Sequence, residues 1–442
     1  MKFLKRAEGK QHSLKTEREV QTRVQEMLDR IRKDGEAAIR QYALDLDGWD
    51  GEFVLSESKR NQLIACVSPS TRKDLDFAHR QVRRFAEAQR DSLTAFEMTT
   101  EPGVTLGQVV VPVQGAGCYV PGGRYAHAAS ALMSVATAKA AGVPYIVACS
   151  PPRGDSIDPA VAYAMHIAGA DTILELGGVH AIAAMAFGHF TERPLDIIVG
   201  PGNALVTEAK RMLFGEVGID VVAGPTESAI IADASADPMT IAVDLVSQAE
   251  HGTNSPVWLF TDDRAIGEAV LEIMPRVIND MPNRDVCDAA WRDFGEIVLC
   301  EDREEVVAVS DQYACEHLQV MAADLDWWKS NLRNYGSLFL GEGSTVPHGD
   351  KCSGTNHILP TSGAAKYTGG LNAQKFLKVL TYQKLDEAAN LTFSAAASRI
   401  SRVEGMEGHA RACDWRLRRY FPDTEWDFPV YEQVDYNREI ES

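Results

Sequence analysis

Nowhere does the sequence run to the ~18 consecutive apolar residues that a membrane-spanning helix needs, and no apolar stretch lies behind the basic residues of its start, Lys2, Lys5 and Arg6. A cytoplasmic chain with no membrane partner is therefore expected. Lys and Arg never gather into a block. With 44 of them against 63 Asp and Glu, the formal net charge is −19, which repels a phosphate backbone and sets nucleic acid aside as a partner. The 8 cysteines form no C-x-x-C pair and sit in apolar runs such as Ile146-Val147-Ala148-Cys149, so buried, reduced thiols are expected rather than a cysteine zinc site. A complete G-x-G-x-x-G after a predicted strand is also missing, so no nicotinamide cofactor can be inferred from that motif. There is no internal repeat and no low-complexity segment.

What the 442 residues do hold is 45% hydrophobic and 24% charged side chains, enough to bury a large core, and at ~150 residues per domain two to four domains are expected. From Glu17 to Leu46 apolar residues recur at helical spacing (Val20, Val24, Met27, Leu28, Ile31) among charges, the pattern of an amphipathic helix packed on the body. From Gln108 onward, short β-branched runs each precede an Ala-rich helical stretch: Tyr145–Ala148, Thr172–Leu174, Asp196–Val199 and Asp220–Ala223. Near-continuous apolar strands that alternate with helices predict parallel βαβ units and an α/β fold. A second set, Ala229–Ile231, Val257–Phe260, Ile297–Leu299 and Ser337–Leu340, follows the polar turn Gly224-Pro225-Thr226-Glu227. Two sheet domains with a cleft fit this length. After Gly370 the pattern turns helical, and Asp427–Ser442 reads as an extended arm.

The glycine-rich turns Gly122-Gly123, Gly177-Gly178 and Gly200-Pro201-Gly202-Asn203 fall at predicted strand ends. There an open α/β sheet binds ligands, and glycine lets backbone approach a phosphate; each is also an ordinary turn. Gln248 and His251, three apart at the end of the helical stretch Ile241–Ala249, share a face and a spacing that suits a metal, although a histidine before Gly252 is also what a helix C-terminus favours. Asp350 lies in the polar loop Gly349–Gly354, near His357, and His409 lies in the run Glu404–His409. Each could be a solvated loop residue, and only convergence would make a site. The adjacent Glu316 and His317, in the mostly apolar stretch Ala314–Leu318, could serve two successive proton transfers at one substrate. The competing reading is a surface charge beside a helix-end histidine.

In chain order, the runs Gly117-Cys118-Tyr119-Val120-Pro121-Gly122-Gly123, Gly200-Pro201-Gly202-Asn203, Ala223-Gly224-Pro225-Thr226-Glu227, Ser247-Gln248-Ala249-Glu250-His251-Gly252, Glu316-His317-Leu318 and Ser353–Thr361 resemble those of the histidinol dehydrogenase family. The likeness extends from residue 15 to residue 421. It implies a homodimer with two incomplete Rossmann-like domains, one from 21–118 and 232–370 carrying zinc and catalytic residues, the other from 119–231 on the NAD side. An N-terminal arm (1–20) and a helical C-terminal domain (371–442) exchanged between subunits complete that expectation.

The same resemblance implies one zinc held by Gln248, His251, Asp350 and, from the other subunit, His409. It also implies two successive NAD-dependent oxidations, from alcohol through aldehyde to carboxylate. His317 matches the family base and Glu316 the residue that activates water. Thr226, His357 and Glu404 match substrate contacts, while Tyr119, Asn203 and position 180 match NAD contacts. An amide oxygen, two imidazoles and a carboxylate make a ligand set that suits zinc, with open positions for substrate heteroatoms. A zinc there would orient the substrate and polarise its oxygen, so the hydride acceptor must be a separate cofactor.

Departures from the family pattern bear on the substrate. Lys351 replaces an aromatic residue usual after the zinc aspartate, and the Pro-Gly-Gly turn continues Arg124-Tyr125-Ala126-His127. With the runs Gly341–Thr345, Thr361–Leu371 and Arg402–Arg411, these resemble a branch of the family that oxidises a sulfonated propanediol. Cations Arg124, His127 and Lys351 would suit such a small anionic substrate. The expected reaction is oxidation of (R)-2,3-dihydroxypropane-1-sulfonate to (R)-sulfolactate; histidinol, another polyol or amino alcohol, and a non-catalytic zinc-dependent binder are the alternatives. His180, where the family usually has glutamine, puts one NAD contact in question, and Cys315 replaces a proline before the Glu-His pair.

Overall fold

The computed structural model describes residues 1–9, 14–122 and 126–431. The chain divides into two compact units, one of Met1–Ser92 with Pro112–Leu377 and one of Leu93–Val111 with the chain from Lys378 onward. The strands in chain order are β1 (Lys2–Lys5), β2 (Phe96–Glu101), β3 (Val104–Pro112), β4 (Gly115–Tyr119), β5 (Tyr145–Ser150), β6 (Thr172–Glu175) and β7 (Ile197–Val199). They continue with β8 (Gly218–Ile219), β9 (Ser228–Ala232), β10 (Val257–Thr261), β11 (Glu296–Leu299), β12 (His317–Met321), β13 (Ser337–Leu340) and β14 (Leu377–Leu385).

The first unit is α/β, with a five-stranded sheet in the order β6-β5-β4-β7-β8 and a six-stranded sheet in the order β1-β11-β10-β9-β12-β13. Every described pairing in the two sheets is parallel except that of β1, which lies antiparallel at an edge. Strands β4, β5, β9 and β12 are buried at every residue. Burial on both faces explains why they read as continuous apolar runs rather than as alternating ones.

The order in which strands are added reverses at β4/β7 in the five-stranded sheet and at β9/β12 in the six-stranded sheet, and such switch points open a crevice at the carboxyl ends of the strands. The first crevice lies where Tyr119 ends β4 and Gly200 follows β7. Gly200 has φ +121°, and a Cβ there would come within 2.0 Å of the Tyr119 carbonyl oxygen, so this close approach requires glycine. The second sheet carries Asp233, Asp262 and Asp263 beside its carboxyl-end cavity, a lining that disfavours a dinucleotide's pyrophosphate.

Two local predictions are revised. The single helix expected over Glu17–Leu46 is divided into Leu14–Asp34, Glu36–Tyr42 and a π-turn at Ala43–Asp47, because Gly35 takes φ +58° and ends the first helix. Val24, Met27, Leu28 and Ile31 do form its buried stripe. Asp220–Ala223 is loop rather than strand, since Asp220 turns inward to meet Lys210. All eight cysteines are free, with Cys66 exposed.

The second unit contains the sheet β14-β3-β2 and a pair of helices, Asn390–Val403 and Glu407–Tyr420. Buried Asp414 accepts hydrogen bonds from Ser398 Oγ at 2.5 Å, Arg402 Nη2 at 2.6 Å and the Tyr431 amide at 2.8 Å, tying both helices to the segment after them. No described helix is long and apolar enough to cross a membrane.

Candidate active site

The centre of the site lies at the amino edge of the six-stranded sheet, opposite its switch-point crevice. β9 and β12 pair so that Ser228 faces His317, which brings the preceding residues, Glu227 and Glu316, together. The Glu227 amide donates to Glu316 Oε2 at 3.0 Å, and His317 Nδ1 donates to the Glu227 carbonyl at 3.2 Å. A carbonyl only accepts, so the proton is assigned to Nδ1 and Nε2 is the atom turned toward Asp350. Asp350 Oδ1 lies 3.3 Å from Nε2 without hydrogen-bond alignment, a contact that becomes an ion pair only when the imidazole is protonated. Glu316 and His317 thus occupy a buried loop-to-strand junction, not a surface charge beside a helix end.

Burial pushes the Glu316 carboxyl up. Burial alone would lower His317, but Glu316 and Asp350 outweigh it and the imidazole rises. Burial likewise opposes ionisation of Asp350, yet the adjacent His317, with help from His357 and Lys351, holds that carboxyl well below its usual range. A buried acid and a buried base in contact, displaced from their ordinary values, are what general acid–base chemistry needs.

His251, Lys351 and His357 lie near Asp350, with His127 beside Lys351 and His357. His357 Nδ1 donates to the Asp350 carbonyl at 2.7 Å, and its Nε2 stands 2.9 Å from Ser130 Oγ. Lys351 is exposed, with Nζ 3.9 Å from Asp350 Oδ2. His127 precedes the helical turn Ala128–Ala131 and is pushed down to about 4 by burial, with His357, Lys351 and Arg153 adding repulsion. Helix Pro238–Ala249, capped by Asp237, ends at Gln248 and Ala249, so His251 lies in the turn beyond rather than on the helix. The His251 ring keeps an open face while crowding by protein lowers its pKa, against the pull of Asp350.

Gln248 is buried and its Oε1 has no hydrogen-bond partner, an expensive state for a polar atom unless a ligand meets it. Among the described residues no three His, Cys, Asp or Glu side chains stand together as a metal cluster. The expected ligand set has only two of that kind in this unit, His251 and Asp350, with the Gln248 amide as a third donor. That chemistry fits zinc. Thr226 is half-buried beside Glu227. Glu404 and His409 belong to the second unit, exposed on either side of the turn between its helices. Arg124 lies outside the described residues.

On the five-stranded sheet, the buried Tyr119 hydroxyl accepts from the Gly178 amide at 3.2 Å. Asn203 caps helix Ala204–Leu213 through its Oδ1, at 3.0 and 3.1 Å from the Leu205 and Val206 amides, which leaves the exposed amide nitrogen for a ligand. His180 is buried, with Nε2 3.0 Å from Asp47 Oδ2 and no partner for Nδ1. Glu227, Ser130 and Asp47 were not singled out as site residues from sequence. Glu227 stands in the quoted Ala223–Glu227 run, but it acts through its peptide group, which leaves no side-chain signature.

The histidinol dehydrogenase family model matches residues 10–417. The chain is 55% identical over 412 residues to sulfopropanediol 3-dehydrogenase of Ruegeria pomeroyi, covering 92% of this chain and 95% of that protein. It is 57% identical over 402 residues to a histidinol dehydrogenase homolog of the same organism, covering 90% and 93%. Histidinol dehydrogenase of Thermus thermophilus is 39% identical over 393 residues, covering 89% and 93%. The crystal structure of histidinol dehydrogenase from Elizabethkingia anophelis superposes with a TM-score of 0.87 at 30% identity, covering 93% of this chain and 94% of that one.

Proposed function

The chain belongs to the histidinol dehydrogenase family and is an NAD-dependent dehydrogenase acting on alcohol groups, and from that premise we propose that it oxidises 2,3-dihydroxypropane-1-sulfonate to sulfolactate in two steps. One primary alcohol and one water give one carboxylate, two hydrides and three protons; two NAD would each take one hydride, and zinc would polarise the substrate oxygen. Gln248, His251 and Asp350 would hold that zinc together with His409 of a second copy of the chain. Tyr119 and Asn203 would hold NAD at the β4/β7 switch point, a placement favoured by the glycine-only approach of Gly200 to Tyr119.

The observation that carries the chemistry is the contact of His317 with Asp350 on one side and Glu316 on the other. His317 Nε2 takes the alcohol proton at the substrate oxygen, while its Nδ1–H stays on the Glu227 carbonyl. Glu316 takes a proton from the water that adds to the aldehyde. Lys351, with its ammonium beside Asp350, supplies positive charge that favours a sulfonate over the ammonium group of histidinol.

A dimer is supported by the apolar side chains that the second unit leaves uncovered in the single chain. Val403 is 90% exposed and Ile400 59%, with Trp415 and Met406 also open, more than isolated surface residues account for. The deciding assay is NAD reduction by the purified zinc-loaded protein with the sulfonate diol and with histidinol. Faster oxidation of histidinol refutes the sulfonate reading.

A further inference from the structure

Glu227 touches both members of the acid–base pair, though its side chain meets neither in a hydrogen bond. Its amide donates to Glu316 Oε2 at 3.0 Å. Its carbonyl accepts from His317 twice, from the backbone amide at 3.2 Å and from Nδ1 at 3.2 Å. The side chain points elsewhere: it is 8% exposed, Oε1 accepts from the Ser362 amide at 2.8 Å and Oε2 has no partner. Ser362 has φ +55°, a conformation that a non-glycine residue holds only when its surroundings impose it. The neighbouring Thr361 Oγ1 accepts from the Gly224 amide. Two consecutive residues of the 361–362 turn therefore grip the 224–227 turn at both ends.

We propose that Glu227 is a positioning residue, whose carboxyl, anchored on the Ser362 amide, fixes the backbone of residue 227, the N–H of which orients the Glu316 carboxylate and the C=O of which sets the Nδ1–H tautomer of His317. The role rests on the reading of Glu316 and His317 as the proton-transfer pair. Without the anchor the two peptides that flank residue 227 can rotate. Glu316 then loses its donor, the N–H of the 226–227 peptide, and His317, which meets the carbonyl of the 227–228 peptide, can exchange to the tautomer that presents N–H, rather than a basic nitrogen, at Nε2. Proton transfer slows in both half-reactions because the backbone of one residue serves both groups. Zinc and NAD binding use other residues and stay as they were. A displacement near 1 Å at reacting groups can cost about 10²-fold in rate, so a tenfold to hundredfold loss is expected.

The test measures kcat and KM separately for the alcohol and for the aldehyde in zinc-loaded full-length protein. Glu227→Ala should lower kcat in both half-reactions by about 10- to 100-fold, with the KM for NAD and the zinc content unchanged. Glu227→Gln keeps an oxygen acceptor for the Ser362 amide and should recover kcat to near the parent value. If Glu227→Ala does not fold, Glu227→Asp takes its place: it keeps the charge but shortens the reach by one methylene, and should show the same loss. Parent kcat in the Ala or Asp variant overturns the proposal. So does a Gln variant as slow as Ala, which would assign the carboxylate itself to the chemistry. Glu316→Gln and His317→Ala serve as controls: if they are slow while the Glu227 variants are not, only the positioning role fails, whereas if they too keep parent rates, the reading of the pair fails first.

Discussion

Lys210 and Asp220 form a buried ion pair that clasps a single residue, Gly200, by both ends of its backbone. Lys210 Nζ donates to the Gly200 carbonyl at 2.8 Å, the Gly200 amide donates to Asp220 Oδ2 at 2.7 Å, and the two side chains meet directly with 2% and 0% of their surface exposed. A buried pair is weak ground for stability in itself, because desolvation offsets the attraction. What this pair does is define the turn between Tyr119 and Asn203.

Breaking the clasp from one side should therefore be worse than removing it. Lys210→Met leaves an unpaired buried carboxylate and should destabilise the first unit by about 3–5 kcal/mol, read by denaturant unfolding. Lys210→Met/Asp220→Asn should restore much of that stability while still raising the KM for NAD. The KM for the alcohol should stay near its parent value. A double variant with parent NAD affinity would show that the clasp does not set the cofactor turn.

The parallel strands were legible because burial on both faces leaves a composition that survives in the sequence: Tyr145–Ala148 and Ala229–Ile231 read as strands and are strands. β12 was less legible, since it opens with His317 and continues through Gln319, both buried polar residues. Asp220-Val221-Val222 has β-branched texture but is loop, because the chain leaves the sheet where β8 ends at Ile219 and the carboxyl of Asp220 is drawn in to Lys210, a partner that periodicity does not reveal. The ligand set as a whole comes from resemblance: spacing suits a metal only at Gln248 and His251, and it leaves Asp350 and His409 as loop residues. The Glu227 contacts could not be read at all: they run through a peptide N–H and C=O, which every residue has.

Glu316 and His317 should separate the two half-reactions. Water addition concerns only the aldehyde, so Glu316→Gln should spare alcohol oxidation relative to aldehyde oxidation. Loss of His317 should slow the first proton transfer by about 10²- to 10⁴-fold. Stopped-flow measurement of NADH formation from each substrate distinguishes the steps, and parent-like aldehyde oxidation by Glu316→Gln would remove Glu316 from water activation.

Zinc should be lost when its donors are. Metal analysis of His251→Ala and His409→Ala should show strong depletion, because affinity falls with each ligand removed. Mixing the two variants under subunit exchange should restore part of the activity, since a mixed dimer contains one site with all four ligands. Full zinc retention in both variants removes the site, and verified mixed dimers without activity place all ligands within one chain.

Stability should fall with rising pH through Glu227. Burial raises its carboxyl from the model-peptide value of 4.5 to about 7. A group whose folded pKa is raised contributes fully below its unfolded pKa and loses that contribution as pH rises through the folded one, here between 4.5 and about 7. The interval corresponds to at most about 3 kcal/mol. Glu227→Gln cannot ionise, so its unfolding free energy should change less than the parent's between pH 5 and pH 8, as followed by urea denaturation at both pH values; equal changes would show that the carboxyl does not titrate in this range.

Arg124 lies outside the described residues, so charge selection of the substrate falls on Lys351 and His127. Lys351 Nζ stands 3.9 Å from Asp350 Oδ2, which ties its charge to the centre of the site although its side chain is 62% exposed. At about 4 Å a sulfonate would gain at most about 4 kcal/mol from it at an effective dielectric of about 20, and solvent screening takes a large share of that. The remaining attraction acts on a group remote from the carbon being oxidised, so it is present equally in the ground and transition states. Lys351→Ala should therefore raise the KM for the sulfonate diol with little change in kcat, the pattern of lost uniform binding. The same substitution should improve histidinol, whose ammonium group the lysine repels, so the ratio of kcat/KM for the two substrates moves from both directions. His127→Ala should have a smaller effect, since burial keeps that imidazole neutral near pH 7. A Lys351→Ala protein with the parent KM for the diol and no gain with histidinol would remove charge selection from the site and leave the zinc and NAD chemistry standing.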